Sequence, residues 1–191
     1  VRAELRDAYL RSTDRIFASY RGDSPTTTER GWLKARELMT AAVGLNTRDR
    51  AARARLAYSQ AHLDRIEAQG MRKRGERKAA DEKLRDAVAG FQDAAGRDRA
   101  WPDPFLGLAR LYAYDQFSLQ GLQSALEELH NRGYAPGRRE QAMLADGYRT
   151  RGLELVGDAQ QRRGTGDETN LLAKAREHFL KAREIYGQMP K

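Results

Sequence analysis

Apolar residues recur along this chain at three- and four-residue intervals, and that periodicity predicts helices from end to end. One motif returns repeatedly: Ala, three residues, a large apolar residue, two residues, Ala. It reads Ala35-Met39-Ala42, Ala87-Phe91-Ala94 and Ala175-Phe179-Ala182, with a degenerate copy in Leu122-Leu126-Leu129. Positions i, i+4 and i+7 share one face of a helix, so the small residues admit a neighbouring helix and the large one fills the gap between them. Two copies even share their flanks, Lys34-Ala35-Arg36-Glu37 and Lys174-Ala175-Arg176-Glu177. A second motif marks a different set of helices: Leu108-Ala109 with Tyr112, and Leu144-Ala145 with Tyr148. Leu56-Ala57 keeps its first half, with Gln60 in the Tyr place.

Turn residues punctuate the periodic stretches. Gly22-Asp23-Ser24-Pro25 followed by Thr26 to Thr28 offers a stop and then N-caps, Gly70 ends a helix, Gly133 to Gly137 breaks the chain, and Gly164 to Asp167 opens the last helix. Eight helices follow, at about 1–20, 27–46, 49–69, 76–96, 103–115, 118–132, 138–162 and 168–188. They pair into hairpins over about 1–46, 49–96, 103–132 and 138–188, a single repeat domain spanning 1–191.

The two motifs in alternation resemble the tetratricopeptide repeat, a helix-turn-helix unit of about 34 residues. The best match runs from Ala87 to Tyr112. Counting on from Ala87, Phe91 and Ala94 by the family period puts Phe105, Leu108, Ala109 and Tyr112 in their first-helix places, with Trp101-Pro102-Asp103-Pro104 as the turn between repeats. The resemblance implies an all-α fold: an α-solenoid of four antiparallel hairpins wound into a right-handed superhelix. The chain also departs from the family. Its second-helix motifs begin at 35, 87, 122 and 175, so the second and fourth hairpins each carry about 18 residues more than the family unit, or about 2.5 extra turns per helix. From the same register, Phe91, Phe105, Tyr112, Tyr148 and Phe179 are expected to be buried between helices.

Composition narrows the setting. The 191 residues are 40% hydrophobic and 32% charged, with a mean hydropathy of −0.82, which suits helices that each bury one stripe. No apolar run reaches the roughly 20 residues of a membrane span. Val1 is no initiator and falls inside a predicted helix, so the chain reads as a fragment of a longer protein. The cytoplasm is the favoured location, with an extracytoplasmic domain of a membrane-anchored parent as the alternative. Cysteine is absent, which excludes disulfides and thiolate chemistry. The net charge of +8 comes from 35 basic residues against 27 acidic ones. Seven of the basic residues are Lys and the rest Arg, a bias that a GC-rich bacterial genome produces without any nucleic-acid role.

Candidate chemistry is sparse. His62, His130 and His178 fall in three different hairpins without metal-ligand spacing, and no glycine-rich phosphate loop is present. The densest basic run, Arg72-Lys73-Arg74 with Arg77-Lys78, lies at a hairpin tip with no aromatic neighbour in sequence, so it is expected to be an exposed, mobile loop and not a base-reading site. No catalytic residue, metal or cofactor is expected, and the chain reads as a non-enzyme. The resemblance implies instead a protein-interaction scaffold whose first helices line a concave face. By that register the face presents Ala54, Tyr58, Ala61 and His62, then Leu106, Arg110, Ala113 and Tyr114, then Ala142, Asp146 and Arg149. Tyr58, His62, Arg110, Tyr114 and Arg149 are its contact candidates, Tyr and Arg being the residue types that dominate interface energies. A nucleic-acid-contacting basic repeat and a self-assembly module are the alternative readings.

Overall fold

The computed structural model describes residues 1–22 and 24–189, which leaves Asp23 of the first expected turn outside the description. The chain is 83% helical, and no strand occurs among the described residues. Helices α1 (Arg2–Arg21) and α2 (Glu29–Leu45) form the first hairpin, and α3 (Arg50–Lys73) and α4 (Arg77–Arg97) the second. The third pairs α5 (Asp103–Leu111), prolonged by a π-helical turn at Tyr112–Gln116, with α6 (Leu119–Asn131). The fourth pairs α7 (Arg138–Gln161) with α8 (Gly166–Gln188). Successive helices pack on one another down the chain, so the fold is an array of helical hairpins.

Local chemistry sets the boundaries. Thr28, Asp49 and Ser118 each accept a hydrogen bond from a backbone N–H of the first turn, from Gly31, Ala52 and Gly121 respectively, and so satisfy donors that no carbonyl of the helix can reach. Helix α3 closes with Gly75 at φ +83°, where the Glu76 N–H bonds the Met71 carbonyl and the Gly75 N–H bonds the Arg72 carbonyl. The end of α6 repeats this arrangement around Gly133. Both are Schellman caps, in which glycine takes the left-handed conformation without a Cβ penalty. The loop expected from Arg72 to Lys78 is therefore shorter than the sequence suggested: α3 runs through Lys73 and only a tight turn remains. Arg74 forks onto Glu76, and Arg72 bonds both the Asp115 carbonyl and Asp81.

The core is aromatic and joins three hairpins. Phe17 and Tyr20 of α1, Trp32 of α2, Tyr58 and His62 of α3, Phe91 of α4 and Trp101 ahead of α5 are all buried and in mutual contact. Trp32 stacks on His62 with ring centroids 3.7 Å apart, and Tyr58 meets Phe17 edge-on at 5.0 Å. Such pairs contribute about 0.5–1.5 kcal/mol each beyond the area they bury. Phe91 lies against Gly107, where a Cβ would come within 2.6 Å of the ring, so glycine lets α5 close on α4. The expectation that five aromatics are buried between helices needs correction, since only Phe91 is fully buried. Phe105, Tyr112, Tyr148 and Phe179 occupy the expected helix faces but stay half-buried, because the third and fourth hairpins have fewer neighbours to cover them.

His62 is 2% exposed and, among the described residues, its Nε2 has no hydrogen-bond partner. Burial, aided by the positive charges of Arg65 and Arg110, holds its pKa well below 6.5. The folded protein therefore keeps His62 neutral, while the unfolded chain takes up a proton as the pH falls through its ordinary value. This contribution to stability is complete above about pH 6.5 and is lost on acidification, by up to about 1.4 kcal/mol per pH unit. Urea unfolding between pH 8 and pH 5 should show that slope, and His62→Phe should reduce it. In the same assay Phe91→Ala should cost about 3–5 kcal/mol.

Candidate functional site

The five contact candidates divide sharply. Tyr58, His62 and Arg110 are 0%, 2% and 1% exposed, so the expectation that they line an open face needs correction. The reason lies in α1. Its C-terminal end folds over onto α5, where Arg21 forks onto the buried Asp103 carboxylate at 2.7–3.0 Å. The face that would stand open on the second and third hairpins is filled by α1 and α2 side chains.

Arg110 is the centre of this closure. Its guanidinium donates to the carbonyls of Tyr20, Arg21 and Gly22, the last acceptors of α1. The same group pairs with Glu140 at 2.9 Å, with both side chains 1% exposed, and lies 4.5 Å from the Tyr20 ring centroid. A cation at a helix C-terminus satisfies orphan carbonyls and opposes the helix dipole. Glu140 in turn accepts the Gly137 N–H at 3.0 Å and so caps α7. Arg110 is a keystone of the fold and not a contact residue.

Tyr114 and Arg149 do come together, 43% exposed in the first case and with the Arg149 side chain 53% exposed in the second. They line a cleft of about 210 Å³ between the π-helical turn, α6 and α7. Its walls are Tyr112, Ala113, Phe117, Leu119, Leu122 and Met143, and Asp146 and Thr150 sit with Arg149 among its polar residues. The Tyr112 ring covers Gly121 so closely that a Cβ there would lie 2.7 Å from it, which draws α6 against the turn. The turn itself is held from below by Asp115, which is 4% exposed and accepts hydrogen bonds from Arg65 at 2.5 Å and Gln69 at 2.8 Å.

Phe117 is the residue that sequence reasoning missed. Its backbone is left-handed, φ 53° and ψ 37°, a conformation that costs a non-glycine residue about 1–2 kcal/mol. The chain needs that geometry here: the Ser118 N–H closes the π-helical turn on the Tyr112 carbonyl, and the Ser118 side chain starts α6 at once. Glycine would serve better, yet a phenyl ring occupies the position and is 64% exposed. The ring also borders a second depression with Arg72 and Arg77, so the basic run has an aromatic neighbour in space that it lacks in sequence. The available signal was an aromatic residue in the short connection between two predicted helices.

No group of three or more His, Asp or Glu is arranged to hold a metal among the described residues. No helix among them is long and apolar enough to cross a membrane. Comparison with protein-family models, curated proteins and solved structures finds no match to this chain.

The assignment of Arg110 predicts a stability phenotype. Arg110→Ala would leave Glu140 and three α1 carbonyls without their cation, and should cost about 3–5 kcal/mol in urea unfolding. Arg110→Lys should recover little of this, since a lysine cannot reproduce the planar fork. An unfolding midpoint close to that of the wild type for Arg110→Ala would contradict the assignment.

Proposed function

We propose that the chain is a tetratricopeptide-like protein-interaction module that captures an apolar side chain of a partner peptide in the cleft beside Phe117. The observation that carries this reading is Phe117 itself, a strained and exposed aromatic at the mouth of an apolar cleft. The turn needs the left-handed backbone but not a phenyl ring on it, and such outliers cluster at binding sites. The cleft volume of about 210 Å³ falls below the roughly 300–1,000 Å³ of small-molecule pockets. It suits one or two side chains of a peptide lying along the surface. Tyr114 and Phe117 supply rigid aromatic contact area, and Arg149 with Asp146 supplies polar groups for the peptide backbone or a flanking residue.

The nucleic-acid alternative gains one argument, the placement of Phe117 beside Arg72 and Arg77. The charges weigh against it. Arg72 already serves Asp81 and the Asp115 carbonyl, which leaves Arg77 as the arginine of that depression without a partner among the described residues. Each phosphate contact contributes about 0.9 to the salt slope, so one contact supports only weak, non-specific binding.

The test starts from peptides selected for binding to the wild-type protein from a displayed library. Phe117→Gly should leave stability within about 1 kcal/mol of wild type, because relief of the left-handed strain offsets the added backbone freedom. The selected peptides should nevertheless bind that variant at least tenfold more weakly, and Tyr114→Ala likewise. Peptides that bind both variants as tightly as wild type would move the site elsewhere. Submicromolar oligonucleotide binding at physiological salt, lost on Arg77→Ala, would favour the nucleic-acid reading.

A further inference from the structure

The third copy of the Ala-x3-large-x2-Ala motif differs from the second in its surroundings. In α4, Ala87, Phe91 and Ala94 are all fully buried, with α3 on one side and α5 on the other. In α8, Ala175 and Ala182 are buried against α7, but Leu172, Leu180 and Tyr186 are 43%, 39% and 41% exposed. Phe179 rests one edge of its ring on Gly152 of α7 and is otherwise only half-covered. Among the described residues no helix takes on α8 the place that α5 takes on α4.

A groove of about 370 Å³ results along the α7–α8 surface. Val156, Leu172, Phe179 and Leu180 supply its apolar lining, and Arg176 and Arg183 are its only charged residues among those described. Neither arginine pairs with a carboxylate among the described residues, although the same helix carries acids: Glu184 is engaged by Lys181 at 2.8 Å and Asp167 by Arg162 at 3.0 Å. The groove runs from Leu172 to Arg183, about 16 Å or three helical turns. The two arginines are seven residues apart, about two turns, and so stand on the same side of α8.

We infer that this groove is a second docking surface, whose occupant is an amphipathic helix of another protein with apolar residues at helical spacing and carboxylates about two turns apart. The apolar lining supplies the contact area, and the unpaired arginines select the acidic register. A second copy of this chain fits poorly. An α8–α8 contact would set four guanidinium groups against one another, and the net charge of +8 opposes any face-to-face approach of two copies.

The probes are two synthetic amphipathic helices of about 18 residues with an identical leucine stripe, one bearing Glu two turns apart beside the stripe and the other Lys. Titration followed by fluorescence anisotropy should give at least tenfold tighter binding for the Glu helix. The double variant Arg176→Glu/Arg183→Glu, confirmed as folded by circular dichroism, should reverse the preference, and Leu180→Asp should abolish binding of both. Phe117→Gly should leave this binding unchanged, which separates the inference from the cleft reading. Equal affinity for both helices, or a preference that the double variant does not alter, would overturn it. A sedimentation dimer that Leu180→Asp dissolves would also overturn it and assign the groove to a second copy.

Discussion

One buried cation organises this fold. Arg110 reaches back from the third hairpin to the carbonyl end of α1 and forward to Glu140 at the start of α7, so a single guanidinium ties the first, third and fourth hairpins together. A linear array in which each hairpin touches only its neighbours would have no such contact. Here α1 packs side chains onto the second hairpin, and the Arg21–Asp103 fork repeats the link between α1 and α5. The arrangement gives most of its polar groups a partner, although the buried Nε of Arg110 has none among the described residues. The carbonyls of α1 that lack an intrahelical donor gain a cation, the buried carboxylate of Glu140 gains both that cation and an N–H, and the guanidinium face covers Tyr20. A buried ion pair with fewer partners would not recover its desolvation cost.

That closure explains where the apolar core lies and where it thins. The large buried cluster extends from Phe17 to Met143 and so ends just inside α7. Beyond that point the fourth hairpin holds itself together mainly through close α7–α8 contact around Gly152, Leu155, Ala159, Ala175 and Ala182. Stability should therefore fall along the chain, with opening of the fourth hairpin costing less than global unfolding. Both proposed binding surfaces sit on the less covered side of this gradient, one where α6 meets α7 and the other on α8.

Much of the fold was legible in the sequence because its signals are local. The helix end near Gly133 is fixed by cap geometry that glycine alone adopts cheaply, and the Ala-x3-large-x2-Ala spacing reports a packed face whichever neighbour supplies the packing. The same cap closes α3 at Gly75 and not at the expected Gly70, which lies inside the helix. The candidate site was legible only in part. Periodicity groups Tyr58 and His62 on one face of α3 but does not say what covers that face, and the covering residues, Phe17, Tyr20 and Trp32, come from another hairpin. The burial of Arg110 is not legible in the sequence because three of its acceptors are backbone carbonyls, which have no sequence signature, and its one acidic partner lies 30 residues away. Tyr114 and Arg149, expected on one face from the resemblance, both line the cleft beside Phe117. The resemblance offered nothing for Phe117, which stands in a connection that the repeat pattern does not describe.

The contrast between Arg110 and Arg176 with Arg183 shows how the same residue type takes opposite roles in one chain. Arg110 is buried because its surroundings provide more acceptors than one carboxylate, so its charge is spent on folding. Arg176 and Arg183 border an apolar groove and pair with no carboxylate among the described residues, so under the docking inference their charge is available to a partner. Phe91 and Phe117 divide in the same way: the first fills space between α4 and α5 where Gly107 makes room, and the second stands on strained backbone facing solvent. Residue type alone assigns neither role. What separates them is whether the fold itself supplies the complementary surface, and on the cleft beside Phe117 and the groove along α8 it does not.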